Sequence, residues 1–251
     1  MKELVVNPRH IKMTTGDIKD IFIILVDISG YTRFIRYHRI SLLHAEKIVA
    51  ELMESILREV EVPVMAHEIL GDAISLYAID EHTPGQAEKI YSQLQKYFNA
   101  FKAREASLIS ECKLCECEAC KQVGKLRLKA ILHHGQAAFT RIQNIQKISG
   151  EDVIVSHRLL KNSLDSKEYI LMTESFASQC RTLDFTQLVN HHEKYEDVGD
   201  VDAYVNVMDR EDVAPVRLTF LEKLKALWVF EGYIVKRIFM KNNLTFRNMP
   251  V

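Results

Sequence analysis

Six consecutive apolar residues, Ile21-Phe22-Ile23-Ile24-Leu25-Val26, form the sharpest hydrophobic run near the start of the chain. An unbroken β-favouring run of this kind predicts a strand buried on both faces. Asp27-Ile28-Ser29-Gly30 follows with turn chemistry and is expected to end that strand. Leu43, Ile48, Leu52, Ile56 and Leu57 recur near helical spacing and predict a helix from Leu42 to Val60. Pro63 to Ala66 and Ala73 to Ile79 read as two strands joined in a hairpin around Leu70-Gly71-Asp72. A helix is predicted from Gln86 to about Ser110, and a strand from Leu126 to Leu132 ending in His133-His134-Gly135. A helix over Asp152 to Asn162, a strand over Tyr169 to Met172, a helix over Thr173 to Cys180 and a strand over Val201 to Val207 complete the series. The order suits an α/β (α+β) ferredoxin-like core, a mostly antiparallel sheet with helices on one face.

The apolar stripe Leu218, Leu221, Leu224, Leu227 and Trp228, with Glu222, Lys223 and Lys225 between, predicts a helical appendage packed on the domain or on a partner. The expected organisation is an N-terminal extension over residues 1–20, one domain over 21–208 and the appendage over 209–251.

Composition narrows the classes of partner. Lys+Arg 33 against Asp+Glu 34 leaves a formal charge of -1, so no basic field invites nucleic acid. Met1 to Asp20 contains polar and charged residues throughout and no continuous apolar stretch, which predicts no secretory leader. The run Ile21 to Val26 falls far short of the ~20 residues that span a bilayer. A soluble, cytoplasmic chain without membrane contact is the expectation.

Asp27 and Asp72 carry the first candidate chemistry. One lies where a buried strand meets a glycine turn, the other beside Gly71 in a hairpin. Carboxylates on adjacent strand ends would offer hard oxygen ligands to Mg²⁺ or Mn²⁺. The turn Gly30-Tyr31-Thr32-Arg33 would present backbone N–H groups to phosphate oxygens. Taken singly, both aspartates also suit ordinary turn positions.

A wider pattern bears on that choice. Phe22-Ile23-Ile24-Leu25-Val26-Asp27-Ile28-Ser29-Gly30-Tyr31-Thr32 resembles the opening strand of the class III adenylate and guanylate cyclases. Glu68-Ile69-Leu70-Gly71-Asp72-Ala73 resembles their metal hairpin, and Leu128-Lys129-Ala130-Ile131-Leu132-His133-His134-Gly135 their later strand. Ile148-Ser149-Gly150 with Val153 and Arg158 resembles the start of their dimer-facing helix, and Gly199 to Val205 their closing strand. The chain looks like a divergent bacterial branch of that superfamily with a Cys-rich insertion.

The resemblance implies a Mg²⁺- or Mn²⁺-dependent site for a purine nucleoside triphosphate at a head-to-tail homodimer seam. Asp27 and Asp72 would hold two divalent ions. The backbone from Ile28 through Gly30 and Tyr31 to Thr32 would cradle phosphates. Lys129 stands where the family often has a phosphate-binding arginine. Arg158 matches the arginine that, from the partner chain, stabilises charge on the α-phosphate. Conversion to a 3′,5′-cyclic nucleotide and pyrophosphate is the implied activity. The other reading is a catalytically degenerate module that binds nucleotide or protein as a regulatory dimer, under metal or redox control.

Three departures bear on that choice. The family's ribose-orienting Asn falls on Ile154, which cannot hydrogen-bond through its side chain. A triphosphate-pairing Lys maps onto Glu196–Val198, which offers no cation. The base-reading pair has exchanged signs, with Glu68 and Lys147 where adenylate cyclases place a Lys and an Asp or Thr. Glu68 either accepts hydrogen bonds from guanine or forms an ion pair with Lys147 of the partner subunit.

Cys112-x2-Cys115-x-Cys117-x2-Cys120 has thiolate spacing suited to Zn²⁺ or an iron–sulfur cluster, with reduced surface thiols or redox sensing as the other readings. Cys180, on an apolar helix, reads as a core residue. His133 fills a structural histidine position of the resembled family, and His191-His192 read as solvated loop residues.

Overall fold

A computed structural model describes residues 17–35, 39–111, 118–143 and 145–208. Residues 209–251, nearly all of the N-terminal extension, and Cys112, Cys115 and Cys117 therefore lie outside the described residues.

The central strand, β1 (Asp17–Ser29), is longer than its apolar run. It pairs antiparallel on one side with β3 (Ala73–Ile79) and on the other with β4 (Arg127–Ile142). Asp27, Ile28 and Ser29 lie opposite Lys129, Leu128 and Arg127, so strand geometry continues through the segment expected to turn. Two ladder partners satisfy backbone groups that turn chemistry would otherwise have claimed. The reversal comes at Gly30, at φ 95°. For the same reason β4 runs straight through His133-His134-Gly135.

Helix α1 (Tyr31–Ile35) follows the reversal, then α2 (Arg39–Leu57). Strand β2 (Met65–Leu70) joins β3 by a two-residue turn, and α3 (Gln86–Glu111) and α4 (Glu118–Gln122) precede β4. Next come β5 (Ile145–Ser149), α5 (Glu151–Leu159), β6 (Tyr169–Thr173), α6 (Glu174–Ala177), β7 (Val189–Tyr195) and β8 (Gly199–Val207). Among the described residues the sheet order is β2-β3-β1-β4-β6-β8-β7, with β5 paired to the far half of β4. Only the β4–β6 pairing is parallel among these ladders.

Side-chain alternation along β1 feeds two cores. Phe22, Ile24, Val26 and Ile28 pack with α2 and α3, including Leu52, Ile56, Tyr97, Phe98 and Phe101. Ile21, Ile23 and Leu25 pack with Ile131, Val155 and Leu159 on the opposite face. Helices therefore cover both faces, not one: α5 uses Val155 and Leu159 to bury the second face. Cys180 packs against the first core, and burial pushes its thiol up to about 12.

His191 and His192 belong to β7 rather than to a loop. Edge strands show one polar side to solvent, so their alternation is weak in sequence. His191 hydrogen-bonds Glu193 (2.7 Å), and His192 Nδ1 lies 2.8 Å from Asp202.

One glycine fixes where α5 sits. A Cβ on Gly135 would fall inside the carboxyl group of Asp152. That carboxylate accepts from the Gln136 N–H (2.6 Å) and meets His133 Nε2 (2.9 Å). The His133 contact holds its carboxyl below the usual range, and burial opposes this. The first turn of α5 is thereby pinned to β4. Gly135→Ala is expected to expel Asp152 and cost about 1–3 kcal/mol in urea denaturation, the price of leaving buried partners unsatisfied. In an Asp152→Ala background the same change should cost far less, a non-additivity that a double-mutant cycle reads directly.

Candidate functional site

The β1–β3 register places Asp27 opposite Ala73, the residue after Asp72. Leu70 pairs with Ala73, so Gly71-Asp72 is a two-residue hairpin turn. Gly71 sits at φ 64°, the left-handed conformation that such turns demand. The Ile28 N–H donates to the Asp72 carbonyl (3.3 Å) and ties the turn to the end of β1.

This geometry brings the two carboxyl groups together. The pKa of Asp72 is pushed up to about 6, first by burial and then by the charge of the neighbouring Asp27 carboxylate. Lys129 works in the opposite direction. Its Nζ lies 3.0 Å from Asp27 Oδ2 and donates to the Leu160 carbonyl (2.8 Å). Both partners of that ion pair are mostly buried, at 18% and 14% side-chain exposure.

Tyr31, at the start of α1, hydrogen-bonds Glu46 (3.4 Å) and feels Asp72. Its hydroxyl pKa is raised, first by burial and then by Glu46. Gly30 and Thr32 are exposed beside it, and Ile28 is buried in the first core. The β1–α1 turn and the β2–β3 turn thus border the carboxyl pair.

The C-terminal end of α5 closes the site from another side. Its last carbonyls accept from side chains, and that of Arg158 also from the Lys161 N–H (2.9 Å). Tyr195 donates to the Arg158 carbonyl (3.2 Å), Asn162 to that of Leu159 (2.8 Å), and Lys129 to that of Leu160. Asn162 also donates to the Tyr169 hydroxyl (2.7 Å), whose pKa burial pushes up to about 12.

Arg158 points away from this cluster within its own chain. Its Nε and Nη2 donate to Asp197 Oδ2 at 2.9 and 2.5 Å. Asp197 carried no signal in the sequence beyond marking a missing cation. Ile154 is half-exposed on the wall of a 440 Å³ cleft that it shares with Val153, His157, Arg158, Leu160 and Lys161. Glu68 is exposed on β2, 3.7 Å from His67, and its charge reaches His157 on α5. Lys147 is exposed on β5 opposite Thr140.

The carboxyl pair fits a divalent cation on its own chemistry. Two hard carboxylates converge, and the single positive charge of Lys129 only half-compensates them. Among the described residues, no group of three or more His, Cys, Asp or Glu converges on one point. Cys120 is buried in the first core on α4. Among the described residues, no helix is long and apolar enough to cross a membrane.

A family profile described as "Protein of unknown function (DUF2652)" matches residues 49–169. An uncharacterized protein of Mycobacterium tuberculosis is 26% identical over 169 residues, covering 66% of this chain and 76% of its own length. Among solved structures, a bacterial light-regulated adenylyl cyclase superimposes with TM-score 0.58 at 13% identity over 88% of this chain. This chain spans 58% of that enzyme's length. The adenylyl cyclase CyaB from P. aeruginosa superimposes with TM-score 0.56 at 14% identity, over 80% of this chain and 100% of its own. The guanylyl cyclase Cya2 gives TM-score 0.56 at 12% identity, over 81% and 100%. The chain therefore has the fold of class III adenylyl and guanylyl cyclase domains.

Proposed function

We propose that the protein binds a purine nucleoside triphosphate with Mg²⁺ or Mn²⁺ at the Asp27–Asp72 pair, and converts it to a 3′,5′-cyclic nucleotide and pyrophosphate. The observation that carries this reading is the meeting of the two carboxyl groups across neighbouring strands of a cyclase fold. Bound divalent metal would supply Lewis-acid polarisation of phosphate oxygens. The chain's own residues supply the rest. Asp27 and Asp72 hold charge at the strand ends. The backbone from Ile28 to Thr32 would lie against the phosphates, and Lys129, paired with Asp27, stands near it as a point charge. Arg158, delivered from the partner subunit of a homodimer, would neutralise charge developing on the α-phosphate.

A second reading has specific support. Ile154 gives the ribose no hydrogen bond, the stretch Glu196–Val198 provides no cation, and Arg158 is held by Asp197. These features suit a module that binds nucleotide with little turnover, acting as a regulatory dimer. Glu68 and Lys147 would then close the base pocket as an ion pair between subunits. The Cys112, Cys115, Cys117 and Cys120 run would add Zn²⁺ or redox control of that dimer.

Purified protein given Mn²⁺ with ATP or GTP should release pyrophosphate and a cyclic nucleotide, and Asp27→Ala should reduce the rate at least about 100-fold. Nucleotide-dependent thermal stabilisation with no product would favour the regulatory reading. Absence of both would remove the nucleotide proposal altogether.

The raised Asp72 carboxyl adds a pH test. Its pKa moves from 3.8 unfolded to about 6 folded, so the folded state binds a proton that the unfolded chain releases. Stability from this group is full below pH 4 and is lost as pH rises through 6. Asp72→Asn should flatten that dependence and, at pH 7.5, stabilise the metal-free protein by about 1 kcal/mol after solvent screening. That corresponds to about 2–4 °C in melting temperature. Mn²⁺ should raise the melting temperature of the native protein and not that of the variant.

A further inference from the structure

Lys129 has two anchors where a phosphate-binding lysine needs none. Its ammonium touches Asp27 Oδ2 at 3.0 Å and the Leu160 carbonyl at 2.8 Å. The β1–β4 register sets Lys129 directly opposite Asp27, so the ammonium meets the carboxylate through its side chain alone and can leave it without disturbing the ladder. The second anchor is a helix-end carbonyl, where a cation is favoured by the helix dipole. The pair is largely shielded from water, so it is neither screened nor loosened as surface pairs are.

We propose that Lys129 is the internal counter-ion of the aspartate pair and that a divalent cation must displace it from Asp27 to bind. The proposal rests on the reading of Asp27 and Asp72 as the metal site and assigns that site a regulator. In the metal-free protein Lys129 compensates one of two adjacent carboxylates and ties the end of α5 to β4. Metal uptake then exchanges an ammonium–carboxylate contact for a metal–carboxylate contact. The intrinsic affinity of the two carboxylates is reduced by the cost of breaking the ion pair, and Lys129 swings free toward the space that the phosphates would fill. The lysine thus makes metal binding weak alone and stronger when an anionic ligand receives the released ammonium.

Mn²⁺ binding measured by electron paramagnetic resonance tests this, without any turnover assay. Lys129→Gln keeps a hydrogen-bond donor for Leu160 and removes the charge. It should bind Mn²⁺ more than about tenfold tighter than the native protein, the scale of about 1.4 kcal/mol of released competition. Lys161→Gln removes a charge from the same helix end without touching Asp27 and should change affinity by less than about twofold. Thermal melts give a crossed signature. Metal-free Lys129→Gln melts below the native protein because Asp27 loses its partner, and its Mn²⁺-induced stabilisation is larger. If Lys129→Gln binds Mn²⁺ no tighter than the native protein, or if Lys161→Gln tightens it equally, the counter-ion role is overturned while the metal site stands. If Asp27→Asn and Asp72→Asn both bind Mn²⁺ as the native protein does, the metal is not at this pair, and the proposed function falls together with the role of Lys129.

Discussion

Two carboxyl groups brought close at one end of the central strand ladder set the terms for this site. Their proximity is a consequence of register: β1 pairs with β3 so that Asp27 and the Gly71-Asp72 turn share one end of the ladder. A shift of one residue would send Asp27 to the opposite face. It would also turn Ile24 and Val26 out of the core between the sheet, α2 and α3. Burial of those side chains, each worth about 1.5–3 kcal/mol, holds the register far more firmly than the carboxylates resist it. The hydrophobic pattern thus drives an electrostatically unfavourable pair together.

One cation, Lys129, offsets part of that cost, while a second stands apart from the carboxyl pair. Lys129 neutralises Asp27, and Arg158 is neutralised by Asp197. The two pairs differ in kind. Lys129–Asp27 is shielded and doubly anchored, so replacing it carries a real penalty. Arg158 and Asp197 are 50% and 44% exposed, and such a pair contributes about 0–1 kcal/mol. An incoming anion therefore recruits Arg158 at little cost, whereas a cation reaching Asp27 competes with a settled partner.

Much of this was legible in the sequence, and the illegible parts share a cause. The apolar run at Ile21, the helix beginning near Leu42 and the Gly71 turn are local signals, and the structure keeps them. The ends of β1 and β4 were misread because Asp27-Ile28-Ser29 and His133-His134-Gly135 carry turn chemistry that ladder partners distant in sequence override. Strand β7 hid behind His191 and His192, since an edge strand with a polar outer side has no apolar alternation to show. The sequence placed Lys129 on a strand; its contact with Asp27 depends on a register between residues a hundred positions apart. Gly135 was visible as a glycine, but the reason for it, the Asp152 carboxyl occupying its Cβ position, is a tertiary fact.

Two of the three departures from the cyclase pattern concern contacts to the nucleotide rather than the carboxyl pair. Ile154, on the α5 cleft, and the cation-free stretch Glu196–Val198 stand where the resembled family contacts ribose and triphosphate. Gripping a metal and orienting a nucleotide are physically separable, because charge neutralisation tolerates displacements that in-line attack does not. A carboxyl pair whose second member is raised to about 6 is a standing expense that one amide substitution would remove. The two readings of the protein therefore share a cation at this pair and diverge on whether Arg158 can leave Asp197 and reach the neighbouring subunit's substrate in time to matter. That step is governed by the weak, exposed ion pair rather than by the shielded one, which places the difference between a slow enzyme and a binding module in the positioning of substrate and not in the metal site.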